Sequence, residues 1–161
     1  MKTYTNRKSG FTLVEILIVV IILGILAAIV IPQFTNASTD ARKASLVSQL
    51  QTLRSQIQLF KLQHNDVLPD LVANQWNQMM SKTNLQGTVD TTALGLFGPY
   101  LESQPINPLN GNKTVALAAG AGVGWMYSNV TTSATPGIIF ATNQTDTKTF
   151  DETGATQPQV Q

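Results

Sequence analysis

The fold is decided by the stretch Gly10-Phe-Thr-Leu-Val-Glu-Ile-Leu-Ile-Val-Val-Ile-Ile-Leu-Gly-Ile-Leu-Ala-Ala-Ile-Val-Ile-Pro32. From Phe11 to Ile31 it has one charged side chain, Glu15. A helix of this length extends about 31 Å, enough to cross a bilayer core of roughly 30 Å. We therefore expect a membrane-spanning helix. Glu15 needs a separate explanation, because a carboxylate inside the bilayer is costly.

The charges on either side of this stretch indicate its orientation. Lys2, Arg7 and Lys8 precede it, and the next basic residues are Arg42 and Lys43. The positive-inside rule then keeps the N-terminus cytoplasmic and puts the C-terminal bulk on the other side of the membrane. The net charge is only +1, so we expect no nucleic-acid partner. The chain has no cysteine, which excludes disulfides and thiolate metal sites.

Two interpretations of the N-terminus follow from the residues alone. A secretory signal peptide has an apolar core of about 7 to 15 residues before a small-residue cleavage site. Here the run is longer, and Ala27-Ala28 is followed by further apolar residues. A plain single-pass anchor fits the length and the flanks but gives Glu15 no role. That side chain would lie about 6 Å inside the helix start and reach the interface by snorkelling or become protonated.

A third interpretation is a family resemblance. Residues 8–16, Lys-Ser-Gly-Phe-Thr-Leu-Val-Glu-Ile, resemble the processing motif of type IV prepilins and type II secretion pseudopilins. In that family a membrane peptidase cuts after the glycine and then methylates the new N-terminal phenylalanine. The resemblance implies cleavage between Gly10 and Phe11, N-methylation of Phe11, and a role for Glu15 in filament assembly.

The resemblance also divides the chain. It extends through residues 22–28 and Pro32, and it implies a leader peptide over 1–10 and a transmembrane and filament-core helix over 11–32. Residues 33–161 would form a periplasmic or extracellular pilin-like domain. Pro32 would loosen or kink the helix, because proline removes one backbone hydrogen bond.

The chemistry of Glu15 is consistent with this family. Cleavage before the apolar run leaves the anchor attached and creates a cationic amine four residues before the carboxylate. In a filament of parallel, staggered helices, Glu15 of one subunit can meet the amine of its neighbour. Without such a pair, each charge would be desolvated with no partner. Pairing therefore attracts neighbouring subunits and also fixes their relative position along the helix axis.

The rest of the chain predicts an α+β fold with a pilin-like order of elements. A long N-terminal helix, transmembrane in its first half and amphipathic in its second, packs on a small C-terminal antiparallel β-sheet. Apolar residues spaced by four and three continue the helix to about His64. They are Leu46, Leu50, Leu53, Ile57 and Phe60.

The C-terminal half offers weaker signals. Asp70 can cap a short helix over 71–81, and residues 83–94 indicate a surface loop. Two strands are expected over 124–128 and 138–142, joined as a hairpin, with a weaker third over 115–119. The glycines of 120–124 indicate a turn into a strand, and the tail from Thr145 is expected to fray.

No catalytic motif is present, so we expect a protein that is not an enzyme. His64 has no second histidine or cysteine to join it and is expected to be a solvated surface residue. Major pseudopilins commonly hold calcium in a C-terminal loop, and the acids available for this are Asp146, Asp151 and Glu152. Calcium binding and solvation of these charges are both left open, and no ligands are assigned.

The resemblance implies a structural subunit precursor of a type II secretion pseudopilus. Its partners would be copies of itself, the prepilin peptidase and methylase, an inner-membrane assembly platform, minor pseudopilins, and membrane lipid before assembly. It would lie in the bacterial inner membrane and then in a periplasmic filament. One alternative is a type IV pilus or DNA-uptake pilin at the cell surface, although such pilins often contain a disulfide that this chain cannot form. A membrane-anchored binding module is the other alternative.

Overall fold

The computed structural model describes residues 10–90, 92, 95–130, 136–143, 149–150 and 156–157. The helices are α1 Leu13–Gln63, α2 Leu71–Asn74 and α3 Asn77–Met80, and the strands are β1 Thr114–Ala116, β2 Val123–Tyr127, β3 Ile139–Thr142, β4 Thr149–Phe150 and β5 Thr156–Gln157. The chain divides into two compact units, with the boundary between Asp40 and Ala41 inside α1. The α+β fold predicted from the sequence is confirmed.

The N-terminal unit contains the apolar part of α1. By length and composition this helix can cross a membrane. Its large apolar side chains from Leu13 to Ile31 are between 43 and 83 % exposed, so they need lipid or other protein to cover them. The helix continues through Pro32, and the expected kink at that residue stays a prediction.

Within the C-terminal unit, the short helices and the sheet pack on the second part of α1, residues 41–63. The five residues of the predicted stripe are buried, each 2 % exposed or less, as expected from their helical spacing: Leu46, Leu50, Leu53, Ile57 and Phe60. They form one core with Trp76, which directly precedes α3, and with Trp125 and Ile139 of the sheet. The end of the helix at Gln63 also agrees with the sequence.

The sheet has five strands in the order β1-β2-β3-β4-β5. The predicted hairpin is present, because β2 and β3 are antiparallel with Trp125 opposite Ala141. The sheet is nevertheless mixed and not wholly antiparallel, since β1 runs parallel to β2. Parallel neighbours usually need a long crossover. Here β1 has only three residues, so the short segment 117–122 is enough to return the chain to the start of β2.

Glycine is required at the entry to β2. Gly122 adopts a φ of +78°, which places it in the left-handed region that favours glycine. At Gly124 a Cβ atom would collide with the backbone carbonyl of Asn112. The expected turn from the glycine segment into the strand is therefore confirmed, and its last glycine also allows this close approach.

The segment predicted as one helix over 71–81 forms two. Asp70 caps α2 as expected, with its Oδ1 accepting from the backbone N–H of Ala73 at 3.1 Å. The break occurs at Gln75, whose φ is +50°. Its side chain bonds both backbone groups of Val115, donating to the carbonyl at 3.0 Å and accepting from the N–H at 2.8 Å. Pairing with β1 therefore replaces continuation of the helix.

The prediction that His64 is a solvated surface residue is wrong. The side chain is fully buried and stacks on Phe60 with ring centroids 3.9 Å apart. Its Nδ1 lies 2.7 Å from the carbonyl oxygen of Phe60, and its Nε2 lies 2.9 Å from the hydroxyl of Thr83. Thr83 is buried too, so the expected surface loop over 83–94 begins inside the core.

The chain after Thr145 also differs from the expectation of a fraying tail. Strands β4 and β5 lie in this region and pair antiparallel, Thr149 with Gln157 and Phe150 with Thr156. Strand β4 pairs in turn with β3. These backbone pairings extend the sheet, so the prediction is wrong for the residues in the two strands.

Candidate functional site at the start of helix α1

The first turn of α1 is closed by reciprocal hydrogen bonds between Thr12 and Glu15. The Thr12 hydroxyl accepts from the backbone N–H of Glu15 at 3.2 Å. In return, Oε2 of Glu15 accepts from the backbone N–H of Thr12 at 3.3 Å and from its hydroxyl at 3.3 Å. This arrangement is a capping box, with Thr12 as the N-cap and Glu15 at the third helical position.

The capping box gives Glu15 a role within a single chain. Helix starts leave backbone N–H groups without partners, and two of these groups are satisfied here. A negative charge also interacts favourably with the positive end of the helix dipole. The carboxylate therefore stabilises the start of α1, which reduces the penalty for holding it beside an apolar segment.

Thr12 is the site residue that the sequence analysis missed. The signal was present, since a threonine followed three residues later by glutamate before an apolar run is the sequence signature of a capping box.

The two residues of the expected cleavage site precede α1. Both are exposed, and Phe11 is 80 % exposed. No atom lies within 4 Å of the position that a Cβ on Gly10 would take. An exposed peptide outside regular structure is the form in which proteases take their substrates. Residues 1–9 of the expected leader lie outside the described residues.

The surroundings of the capping box are apolar. Phe11, Leu13, Ile16, Leu17 and Val20 border a shallow hollow that also includes Thr12. Glu15 does not line this hollow, but it is exposed on the same helical turn. The site can therefore cap its own helix and offer one carboxylate to a cation from outside the chain.

A family model described as the prokaryotic N-terminal methylation motif matches residues 5–31. Residues 5–31 are therefore similar to this motif, and the match does not extend to the rest of the chain. The match includes Gly10, Phe11, Thr12 and Glu15, and it ends just before Pro32. The roles of these residues in cleavage, methylation and assembly stay predictions.

The N-terminal part of the chain is also similar to curated proteins named type II secretion system core protein G. Identity is 41 % over 60 residues with the protein of Dickeya chrysanthemi, covering 37 % of this chain and 39 % of the relative. With Aeromonas hydrophila it is 39 % over 60 residues, covering 37 % and 42 %. With Escherichia coli K12 it is 34 % over 61 residues, covering 38 % and 42 %.

The matches are confined to part of each protein. The chain spans about two fifths of the length of these relatives. No solved structure matches the chain significantly. The similarity to known proteins is therefore limited to the N-terminal segment. The C-terminal unit is described only by its fold.

The calcium expectation is not tested by the fold. Asp146, Asp151 and Glu152 all lie outside the described residues. Within the part of the chain that the structure describes, no group of three or more histidine or acidic residues could hold a metal ion. Calcium binding in the C-terminal segment stays an open prediction.

Proposed function

We propose that the chain is the precursor of a type II secretion pseudopilus subunit. A prepilin peptidase cuts it between Gly10 and Phe11 and methylates the new amine of Phe11. The mature subunit then polymerises through α1 into a filament that supports protein export. In this role the chain is a substrate and a structural component, not an enzyme.

One observation carries the proposal. The methylation motif covers residues 5–31 and so includes the first part of α1, whose large apolar side chains from Leu13 to Ile31 are between 43 and 83 % exposed. A secretory signal is removed with its apolar segment, whereas a cut at Gly10 would leave that segment on the mature protein. Apolar side chains can be covered by lipid before assembly and by neighbouring helices afterwards, so extraction from the membrane loses little burial.

The capping box adds a mechanistic step to this proposal. Before assembly, Glu15 accepts hydrogen bonds from Thr12 and is not an isolated charge in the membrane. In the filament the same carboxylate accepts the terminal amine of a neighbouring subunit. The carboxylate has two oxygens with several acceptor positions, so it can keep its bonds to Thr12 while it pairs with the amine.

The proposed location and partners follow from this scheme. The basic leader stays in the cytoplasm, α1 crosses the bacterial inner membrane, and the C-terminal unit lies in the periplasm. The partners are other copies of the chain, the peptidase and methylase, an inner-membrane assembly platform and minor pseudopilins. The names of the curated relatives support the type II secretion branch over the pilus branch.

The test separates capping from pairing. Glu15→Ala and Glu15→Val remove both functions, whereas Thr12→Val removes the hydroxyl and leaves the carboxylate. We expect Glu15→Ala and Glu15→Val to be cleaved at Gly10 but to form almost no filaments. Thr12→Val should retain more assembly than either. Normal filaments from Glu15→Ala would refute the pairing step. Equal assembly defects in Thr12→Val and Glu15→Ala would show that Glu15 acts only through the capping box.

A further inference from the structure

A pair of cations on α1 has no acidic partner in the C-terminal unit. Arg42 and Lys43 are both exposed. From Ala41 to Gln63 the helix contains no aspartate or glutamate, and Asp40, three residues before Lys43, forms no ion pair with either cation in the described structure. Among the described residues, neither side chain has an ion-pair or hydrogen-bond partner. This basic pair is therefore available to a group outside the chain.

A groove with the opposite charge lies further along the same helix. It has a volume of about 340 Å³ and runs between α1 and the segment 100–105. The lining is mixed. Leu101 and the buried Leu53 and Pro105 are apolar, the other uncharged residues are polar, and Glu102 is the one charged group. Glu102 is exposed and has no ion-pair partner in the described part of the chain.

A groove with mixed lining and one carboxylate fits the side chain of arginine or lysine. These side chains bury their aliphatic stems along apolar surface and keep the charged head at a polar site. We propose that the basic pair, Arg42 and Lys43, of one copy docks into the Glu102 groove of a second copy. The proposal rests on the filament function above and identifies a contact between subunits outside the N-terminal segment.

The positions of the two patches predict the kind of assembly. The helix residues at the groove, Gln49 to Leu53, lie six to eleven residues beyond the basic pair. This separation corresponds to about 9 to 17 Å along the helix. A second, parallel copy must therefore be displaced along the helix axis by a similar distance. Because the two patches are different surfaces, the contact is heterologous and can extend into an open filament.

Charge reversal and exchange in the full-length chain test the contact. We expect Glu102→Lys to lower the amount of assembled filament roughly three- to tenfold, because an exposed attraction becomes a repulsion. The double variant Arg42→Glu with Lys43→Glu should fall similarly. Combining all three changes should restore assembly to within about twofold of the parent. The control is Asp66→Lys, which changes the net charge equally at a carboxylate that is 89 % exposed and outside the groove.

Cross-linking is a second measurement, and it detects the contact even if the charge changes have little effect on assembly. The chain has no cysteine, so single cysteines report only the designed contact. Copies with Lys43→Cys and copies with Ser103→Cys, carrying different tags, are produced together and oxidised as filaments. We expect a disulfide-linked product that contains both tags, and much less product when Asp66→Cys replaces Ser103→Cys.

The outcomes separate this inference from the proposed function. If the parent forms filaments while the reversed variants assemble normally and no mixed cross-link appears, the groove contact is wrong and the filament function stands. If single reversals reduce assembly but the exchange does not restore it, direct pairing is wrong. If the parent retains Met1 and forms no filaments, both proposals fail.

Discussion

Asn107 should be the most sensitive polar residue of the C-terminal unit. It is fully buried, and its Nδ2 donates to the carbonyl oxygens of Gly124 and Thr142, each at 2.8 Å. Its Oδ1 accepts from the backbone N–H of Leu109 at 2.9 Å. One amide thus joins the segment that follows the groove to strands β2 and β3. Asn107→Leu removes all three bonds while keeping a side chain of similar shape.

The expected loss can be worked from these bonds. Each contributes about 1 kcal/mol net, and a buried group left without a partner costs about 1 to 3 kcal/mol. The Thr142 hydroxyl lies 3.1 Å from the Gly124 carbonyl, but its single proton is directed to the closer carbonyl of Val123, so Asn107→Leu removes the main donor to Gly124. We expect the free energy of unfolding to fall by about 3 to 5 kcal/mol and Tm by roughly 10 to 20 °C.

The assay is thermal unfolding of the full chain in detergent, followed by near-ultraviolet circular dichroism of the buried Trp76 and Trp125. The matched control is Asn77→Leu, an exposed asparagine on α3. It should change the free energy of unfolding by no more than about 0.5 kcal/mol. If Asn107→Leu lies within about 1 kcal/mol of the parent, the three bonds do not stabilise this unit as argued.

Three further predictions concern single side chains. Thr12→Val should destabilise the start of α1 by about 0.5 to 2 kcal/mol, so the amide of Glu15 should exchange hydrogen faster in micelles; unchanged exchange would contradict the capping box. Thr83→Val should lower the free energy of unfolding by about 1 to 2 kcal/mol by leaving Nε2 of His64 unpaired, whereas Thr83→Ser should stay close to the parent in urea unfolding. The Tyr127 hydroxyl is buried without a hydrogen-bond partner among the described residues, so Tyr127→Phe should be neutral or stabilising by about 1 kcal/mol. Burial, and secondarily the charge of Asp70, raise the pKa of Tyr127. The folded state then holds the proton more tightly than the unfolded state, so stability falls as the pH rises above about 10. Tyr127→Phe should reduce that alkaline loss, and an equal loss in both proteins would show that Tyr127 is not its source.

Helical periodicity was enough to predict the buried face of α1, because every residue of the stripe from Leu46 to Phe60 packs on the core. The local sequence could not predict the surroundings of His64. Its neighbours in the chain are polar, and the hydroxyl that completes its hydrogen bonds lies 19 residues away at Thr83. The parallel pairing of β1 could not be predicted from the sequence either. It depends on a strand of only three residues and on the hydrogen bonds between Gln75 and Val115.

The candidate site was more accessible to sequence analysis than the sheet. Gly10, Phe11 and Glu15 are close together in the chain, so their resemblance to the prepilin processing motif is visible in nine consecutive residues. Thr12 carried an equally local signal that was not used. The groove at Glu102 differs from these, because it is formed by α1 and a segment about 50 residues further along. No pattern in either segment predicts that they meet.

The central claim is that the chain is processed between Gly10 and Phe11 and retains its apolar helix. Mass spectrometry of the full protein, extracted from the membranes of cells that assemble the filament, tests this claim most directly. The account predicts a mature chain that begins at N-methylated Phe11, and an unprocessed chain in cells that lack the peptidase. A protein that begins at Met1 in both cells, or one cut after the apolar helix, would contradict it.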